Sequence, residues 1–277
     1  MWYKARLLVP RRVKSILRAG AHFTFVSDLR SLRAYRASLA LDGSFHETAS
    51  TQTTLIGIRQ LGHRLIEIRT GTTDANVVFS AFCHRFHLPP PDFRMPPAPV
   101  IWDLGANIGV TMAHFASRYP RARVVGVELD HANAVLCKRN VAPWSDRCTV
   151  VEGAIWYADG EISYAANGNQ DAYSVTLTGN TPAERCVAKA PAIALDTLLA
   201  LTGDPPCVDF VKLDIEGAEK FVLRENTAWA SRVRCIKAEL HYGYSKAACI
   251  ADLERLGFRA REDLNHNLCV VGVRRGD

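Results

Sequence analysis

From Val100 onward, short unbroken apolar runs alternate with stretches whose apolar residues recur every three or four positions. "VIWDLG" reads as a strand buried on both faces, and 108–119 as an amphipathic helix. The pair repeats as the strand "ARVVGVEL" with a helix over 131–141, and a third strand, "CTVVEGAI", follows. Residues 156–195 break this rhythm. "WYADGEISYAA" places a D-G turn between strand-like flanks and "AYSVTLTG" alternates, so the segment is expected to be a β-rich insertion over one end of the sheet. The rhythm resumes with "VDFVKLDIEG", a helix over 217–226, the strand "RCIKAELH" and a helix over 246–256. Two last strands, "FRAREDL" and "LCVVGVRR", flank the turn "NHN". The expected fold is α/β and Rossmann-like: a mostly parallel sheet closed by a C-terminal antiparallel hairpin. Ligands of such sheets lie beyond the carboxyl ends of the strands.

The pattern before Val100 differs. Residues 4–40 are expected to be mostly helical, and "TTLIGIRQLGHRLIEIRTG" to be two strands around a turn near Gly62. "DANVVFSAFCHRF" has helical spacing, with Asp74 as its expected N-cap. "LPPPDFRMPPAP", Leu88 to Pro99, holds six prolines in twelve residues and is expected to be a stiff, extended connector. The predicted organisation is an N-terminal helical and β extension (1–87), the connector (88–99) and a core (100–277).

Composition narrows the class. The 277 residues are 48% hydrophobic, and no apolar run is long enough to span a bilayer. The eight cysteines (83, 137, 148, 186, 207, 235, 249 and 269) contain no CxxC, so they are expected to be reduced core residues of a cytoplasmic protein, without a structural metal. The net charge of +6 is uneven: residues 1–40 carry nine Lys/Arg against Asp28 alone, and the remainder is slightly acidic. Nucleic acid is therefore not the expected partner. The basic N-terminus, with Trp2, Tyr3, Leu7 and Leu8 among its cations, offers contact with an anionic membrane surface as an alternative to a solvated helix. No pattern reports oligomeric state.

The candidate chemistry falls at strand ends. "DLGANIG", Asp103 to Gly109, has neither the three glycines of a dinucleotide fingerprint nor the GK[ST] of a P-loop. An acid just before the turn would repel phosphate but could hold an ammonium group. That combination suits S-adenosyl-L-methionine, an amino-acid cofactor without phosphate, lying against Gly105 and Gly109. Glu128 ends the next strand and suits the two ribose hydroxyls. Glu152, with Gly153 and Ala154, ends the third and suits the adenine amino group. On the fourth and fifth strands, Asp214 and Glu216, then Glu239 and His241, are candidates to position a hydroxyl and accept its proton. His241 is the first choice, because an unperturbed imidazole titrates near neutrality, and Asp214 is expected to orient it, stabilise its charged form or bind the substrate hydroxyl. The same acids offer an alternative as ligands for a hard divalent cation, although their spacing is no metal signature. In the insertion, Trp156, Tyr157, Tyr164, Asn167, Asn169, Gln170, Asp171 and Tyr173 suggest carbohydrate contacts.

"DLGANIGVT", "VELD", "VEGAIW", "ALDTLL", "VKLDIEGAEKFVL" and "AELH", in this order, resemble the FkbM family of S-adenosylmethionine-dependent methyltransferases. The resemblance covers roughly residues 64–272. It implies a class I methyltransferase fold and O-methylation of a hydroxyl on a sugar, glycolipid or polyketide-type natural product. It also implies a cofactor site formed by Asp103, Gly105, Ala106, Asn107, Gly109, Glu128, Leu129, Glu152, Gly153, Ala154 and Asp214. The family often has Asn where Glu152 stands. Competing readings are a non-catalytic cofactor-binding protein and an NAD-dependent oxidoreductase or epimerase.

Overall fold

The computed structural model describes residues 21–39, 52–166, 173–175 and 187–276. In chain order, helix α1 (Leu29–Ser38) leads to an antiparallel hairpin of β1 (Thr53–Ile58) and β2 (Arg64–Arg69), then to α2 (Asp74–Phe79). α2 runs on without a break into a π-helical turn, Ser80–His84. The core begins with β3 (Val100–Leu104), α3 (Val110–Arg118), β4 (Arg123–Glu128), α4 (His131–Val141) and β5 (Cys148–Glu152). β6 (Ala154–Ile155) leads into the insertion, which supplies β7 (Gly160–Ala166), β8 (Tyr173–Val175) and β9 (Val187–Ile193). Then come α5 (Leu195–Leu201), β10 (Val208–Leu213), the short α6 (Glu219–Val222), β11 (Val233–Glu239), α7 (Lys246–Arg255), β12 (Phe258–Glu262) and β13 (Cys269–Arg274).

The main sheet has the order β12-β13-β11-β10-β3-β4-β5. Its five strands from β11 to β5 pair in parallel, while β13 is antiparallel to both β11 and β12. The last strand therefore lies inside the sheet and not at its edge. Alternation along the strands feeds two cores. Ile101 and Val124 face a layer with Met112 and Phe115 of α3, whereas Trp102, Leu104, Val125 and Val127 face one with Leu198, Trp229 and Leu253. This α/β fold with a mostly parallel sheet is that of class I methyltransferases, as the motifs led us to expect.

Among residues 4–40, those before Ala21 and Ala40 lie outside the described residues, and the rest is mostly helical as expected, with a single-turn 3-10 helix and α1. Several other local expectations need correction. The expected strand "CTVVEGAI" is two, because Gly153 passes the chain from the main sheet to the insertion's sheet of β6-β9-β7-β8. The helix expected over 217–226 is only Glu219–Val222. Asp74 is not the cap of α2: Thr73 is, and the Asp74 carboxylate instead forms a bidentate pair with the buried Arg69 at 2.8–2.9 Å. Arg69 also reaches Asn133 of α4 at 2.7 Å. The N-terminal hairpin is tied on further by Asn140, whose side chain bonds both backbone groups of Glu67 (2.7 and 2.9 Å) and the carbonyl of Ile108 (2.8 Å). Residues Phe25, Tyr35, Ile56 and Phe82 share one apolar core with β3, β4 and α3, so the extension is packed into the core domain. The connector is no straight spacer either: Phe93 N–H donates to Pro90 O, and Asp92 pairs with Arg261 of β12 at 2.7 Å.

Candidate functional site

The carboxyl ends of β3, β4, β10 and β11 open onto one cavity of about 360 Å³. Its floor begins with the turn after β3. Gly105 has φ +85°, and a Cβ there would lie 1.8 Å from the Asp214 carbonyl oxygen, so only glycine lets the ends of β3 and β10 touch. The amides of Gly105 and Ala106 both donate to Val127 O, at 3.0 and 2.9 Å. Asn107, also at positive φ (+49°), accepts from Ile108 N–H on its own side chain and donates its backbone N–H to Glu128 at 2.7 Å.

Gly105, Ala106, Asn107, Glu128, Leu129, Gly153, Ala154, Asp214, Glu239 and His241 all line the cavity. Three residues expected in the cofactor pocket do not. Gly109 caps α3 and packs against Cys137, where an added Cβ would come within 2.7 Å of the sulfur. Glu152 turns its carboxylate outward to His131, at 2.8 Å, and Lys138. Asp103 is fully buried, and its expected ammonium partner comes from the protein: Lys212 lies 3.2 Å from it and 3.1 Å from Asp214, while Thr111 donates to its other oxygen. Burial still holds the Asp103 carboxyl above the usual range, against the pull of Lys212.

Glu128 accepts from the backbone N–H groups of Asn107 and Asp130. Even so, burial pushes its carboxyl up to about 7. Burial likewise raises Glu216 and Glu239 to about 7, with neighbouring acids adding to it. Asp214 is the exception, because Lys212 and His241 outweigh its burial and hold it below the ordinary value. The cavity is thus lined by carboxyls that lack enough positive charge to ionise fully.

His241 lies two residues past Glu239, the last residue of β11, and both side chains line the cavity. The imidazole is oriented by Glu219 and not, as expected, by Asp214: Nδ1 is 2.8 Å from the fully buried Glu219 carboxylate, while Nε2 lies 3.8 Å from Asp214 and 3.7 Å from Glu216. Glu219 also accepts from the amides of Ile215 and Gly217, which closes the loop after β10 around it. Burial alone would lower the pKa of His241, but the bond to Glu219 and the surrounding acids raise it to about 9. Its titration is therefore displaced from the near-neutral value expected of a free imidazole.

Lys212, Lys237, His266 and Cys269 also line the cavity, as do Asn76, Ser80, Phe86 and His87 from the N-terminal segment. Lys212 and Lys237 are register partners on adjacent strands, an arrangement set only by sheet pairing. His266 stood in a predicted turn with no signal of chemistry. In the insertion, Trp156 packs between Tyr157 and Phe221 (ring centroids 5.3 and 5.1 Å) and Tyr164 is buried beside them, so these four rings form a small core outside the cavity lining. Asn167, Asn169, Gln170 and Asp171, and the side chain of Tyr173, lie outside the described residues.

Residues 103–260 match the methyltransferase FkbM domain family. The 2-O-methyltransferase NoeI of Sinorhizobium fredii (strain NBRC 101917 / NGR234) is 27% identical over 174 residues, covering 57% of this chain and 71% of that protein. Among solved structures, methyltransferase FkbM from Methylobacillus flagellatus KT matches at 15% identity and TM-score 0.45, covering 94% of this chain and 59% of that one. Precorrin-6y C5,15-methyltransferase from Geobacter metallireducens GS-15 matches at 14% identity and TM-score 0.39, covering 72% and 86%. The family match takes in more than half of the sequence, every cavity-lining residue from Gly105 to His241 among it: the chain belongs to the FkbM methyltransferase family.

Proposed function

We propose that the protein is an S-adenosyl-L-methionine-dependent O-methyltransferase acting on a hydroxyl of a sugar, glycolipid or polyketide-type natural product. The observation that carries this reading is an acid-lined cavity beside a carboxylate-oriented histidine. Burial raises the Glu128 carboxyl against hydrogen-bond donors alone, which fits a cationic cofactor with no phosphate, and Gly105 leaves backbone bare where such a molecule would lie. Gly105, Ala106, Asn107, Glu128, Leu129, Gly153 and Ala154 would hold the cofactor, which supplies an electrophilic methyl group.

The chain's own residues then have three tasks. Glu128 accepts hydroxyl hydrogens while its two oxygens stay anchored by backbone amides. Asp214, pinned by Lys212, holds the acceptor hydroxyl. His241 takes the proton at Nε2 as the hydroxyl becomes an ether, with Glu219 stabilising the resulting imidazolium. O-methylation is supported by the 2-O-methyltransferase among the relatives. The expected acceptor is a small hydroxylated molecule and not nucleic acid. The basic residues that suggested membrane contact precede Ala21 and lie outside the described residues, and no helix among the described ones is long and apolar enough to cross a membrane.

The test is incubation with methyl-labelled cofactor and a panel of glycosides and lipid-linked sugars. Label should appear as an ether, and its absence from every hydroxylated acceptor would overturn the reading. A base whose pKa is about 9 in the free cavity gives a rising pH–rate limb whose midpoint lies at or below that pH. His241→Ala should keep cofactor affinity, lose about 10²–10⁴-fold in turnover and flatten that limb. Undiminished turnover would move the role to Glu216, Glu239 or solvent.

A further inference from the structure

A second set of donor atoms lines the same cavity. Glu239 ends β11 and Cys269 begins β13, and the two are register partners across that antiparallel pair. His266 lies in the loop before β13, with Nδ1 3.0 Å from the Cys269 sulfur. The loop is held in place by several backbone bonds. Cys269 N–H donates to His266 O at 3.1 Å, Asp263 N–H to Cys269 O at 2.9 Å, and Leu240 N–H to Leu268 O at 3.0 Å. Phe86 packs against the His266 ring at a centroid distance of 4.3 Å. One carboxylate oxygen, one imidazole nitrogen and the sulfur all lie within 4.8 Å of one another.

We propose that Glu239, His266 and Cys269 form a binding site for a borderline-soft divalent cation, best fitted by Zn²⁺, with a fourth position open to the cavity. The donor chemistry selects the ion. Mg²⁺ and Ca²⁺ take oxygen-only sets, whereas one sulfur, one nitrogen and one oxygen suit zinc or a neighbouring transition metal. Bonds of about 2.0–2.3 Å to a tetrahedral centre place ligand atoms roughly 3.3–3.8 Å apart, so three donors already within 4.8 Å of one another are near that spacing. Three protein ligands leave a coordination place for water or a hydroxyl oxygen, the pattern of open zinc sites and not of closed structural ones. The nearby Lys237 ammonium does not oppose the cation unscreened, because it is paired with Asp263 and donates to Leu88 O at 3.4 Å. On binding, the Cys269 S–H bond breaks, its proton leaves to solvent and the sulfur pair forms the metal bond. The other trio within the same mutual distance, Asp214, Glu216 and His241, is oxygen-rich and belongs to the cluster assigned above to proton transfer. The metal site rests on its own donors and does not depend on the methyl acceptor.

The test uses the full-length protein, chelator-treated, without S-adenosylmethionine, and titrated with Co²⁺ and then Zn²⁺. The expected result is one equivalent bound with a thiolate-to-cobalt charge-transfer band, bleached by Zn²⁺, with release of protons. Cys269→Ser and, separately, His266→Gln should abolish the band and weaken Zn²⁺ binding at least tenfold with the thermal unfolding midpoint of the metal-free protein retained, while His241→Ala should leave both intact. The proposal is overturned by the absence of a charge-transfer band in the wild-type protein, by a band that survives Cys269→Ser, or by loss of binding in His241→Ala. Because no methyl transfer is read, its failure and that of the proposed activity remain separable.

Discussion

A single methyl group at position 105 tests how tightly the cavity floor is drawn. The turn residue has a left-handed backbone, and an added Cβ would sit 1.8 Å from the Asp214 carbonyl oxygen, which is backbone and has no rotamer to escape into. Gly105→Ala is expected to cost about 1–3 kcal/mol in stability and to weaken cofactor binding more than tenfold. Thermal unfolding and calorimetric titration read the two, and an unchanged pair of values would mean that the strand ends do not meet as described. Gly105 was legible in the sequence because a glycine between a buried strand and a helix has few other uses. Lys212 was not: a lysine in "VKLD" reads as a strand-end cation, and only the pairing of β3 with β10 puts its ammonium between Asp103 and Asp214. Glu219 shows the same limit. By position it is an acid at the positive end of a helix, yet the fold buries it completely and gives it to His241.

Elements show what periodicity carries and what it omits. The hydrophobic spacing of "DANVVFSAFCHRF" reveals a helix, but not that Asn76 within it and Ser80, where it continues into a π turn, line the cavity. That wall is anchored by the Asp74–Arg69 pair, with Arg69 reaching on to Asn133 of α4. Asp74→Ala leaves a buried guanidinium without its carboxylate partner, and a loss of about 3–5 kcal/mol is expected. Chemical denaturation is the measurement, and a change below 1 kcal/mol would show that the pair is not holding the segment. Conversely, β13 was foreseen as a strand of a hairpin while its place between β11 and β12 was not, because strand order is absent from local pattern. That place is what sets Cys269 opposite Glu239.

For the molecule as a whole, the buried cluster makes stability depend on pH. His241 has a folded-state pKa of about 9 against an ordinary 6.5, so the native state holds its proton more tightly than the unfolded chain. Its contribution is complete below about pH 6.5 and is lost as the pH rises through about 9, by at most about 3 kcal/mol. His87, His114 and His266 are shifted downward, mainly by burial, and so act below pH 6.5. Glu128, Glu216 and Glu239, raised to about 7, and the buried thiols, raised above their ordinary value, add falls of their own at the two ends of the interval from pH 7 to 9. The share of His241 is therefore read by comparing the protein with His241→Gln. The denaturation midpoint should fall across that interval, and His241→Gln should fall less. Equal slopes in the two proteins would mean that Glu219 and its neighbours do not hold the imidazolium.

Local order along the chain was enough to establish the βα rhythm, the insertion, the turn after the first core strand and the family, because each is written in spacing a few residues long. The partners of the charges were not written there. By local pattern Asp103 awaits a ligand's ammonium and Glu152 faces adenine, whereas the folded chain gives the first to Lys212 and turns the second toward His131 and Lys138. Which acid meets which base depends on strand order and on the inward face of each residue, and these arise when segments distant in sequence pack to bury their apolar sides together.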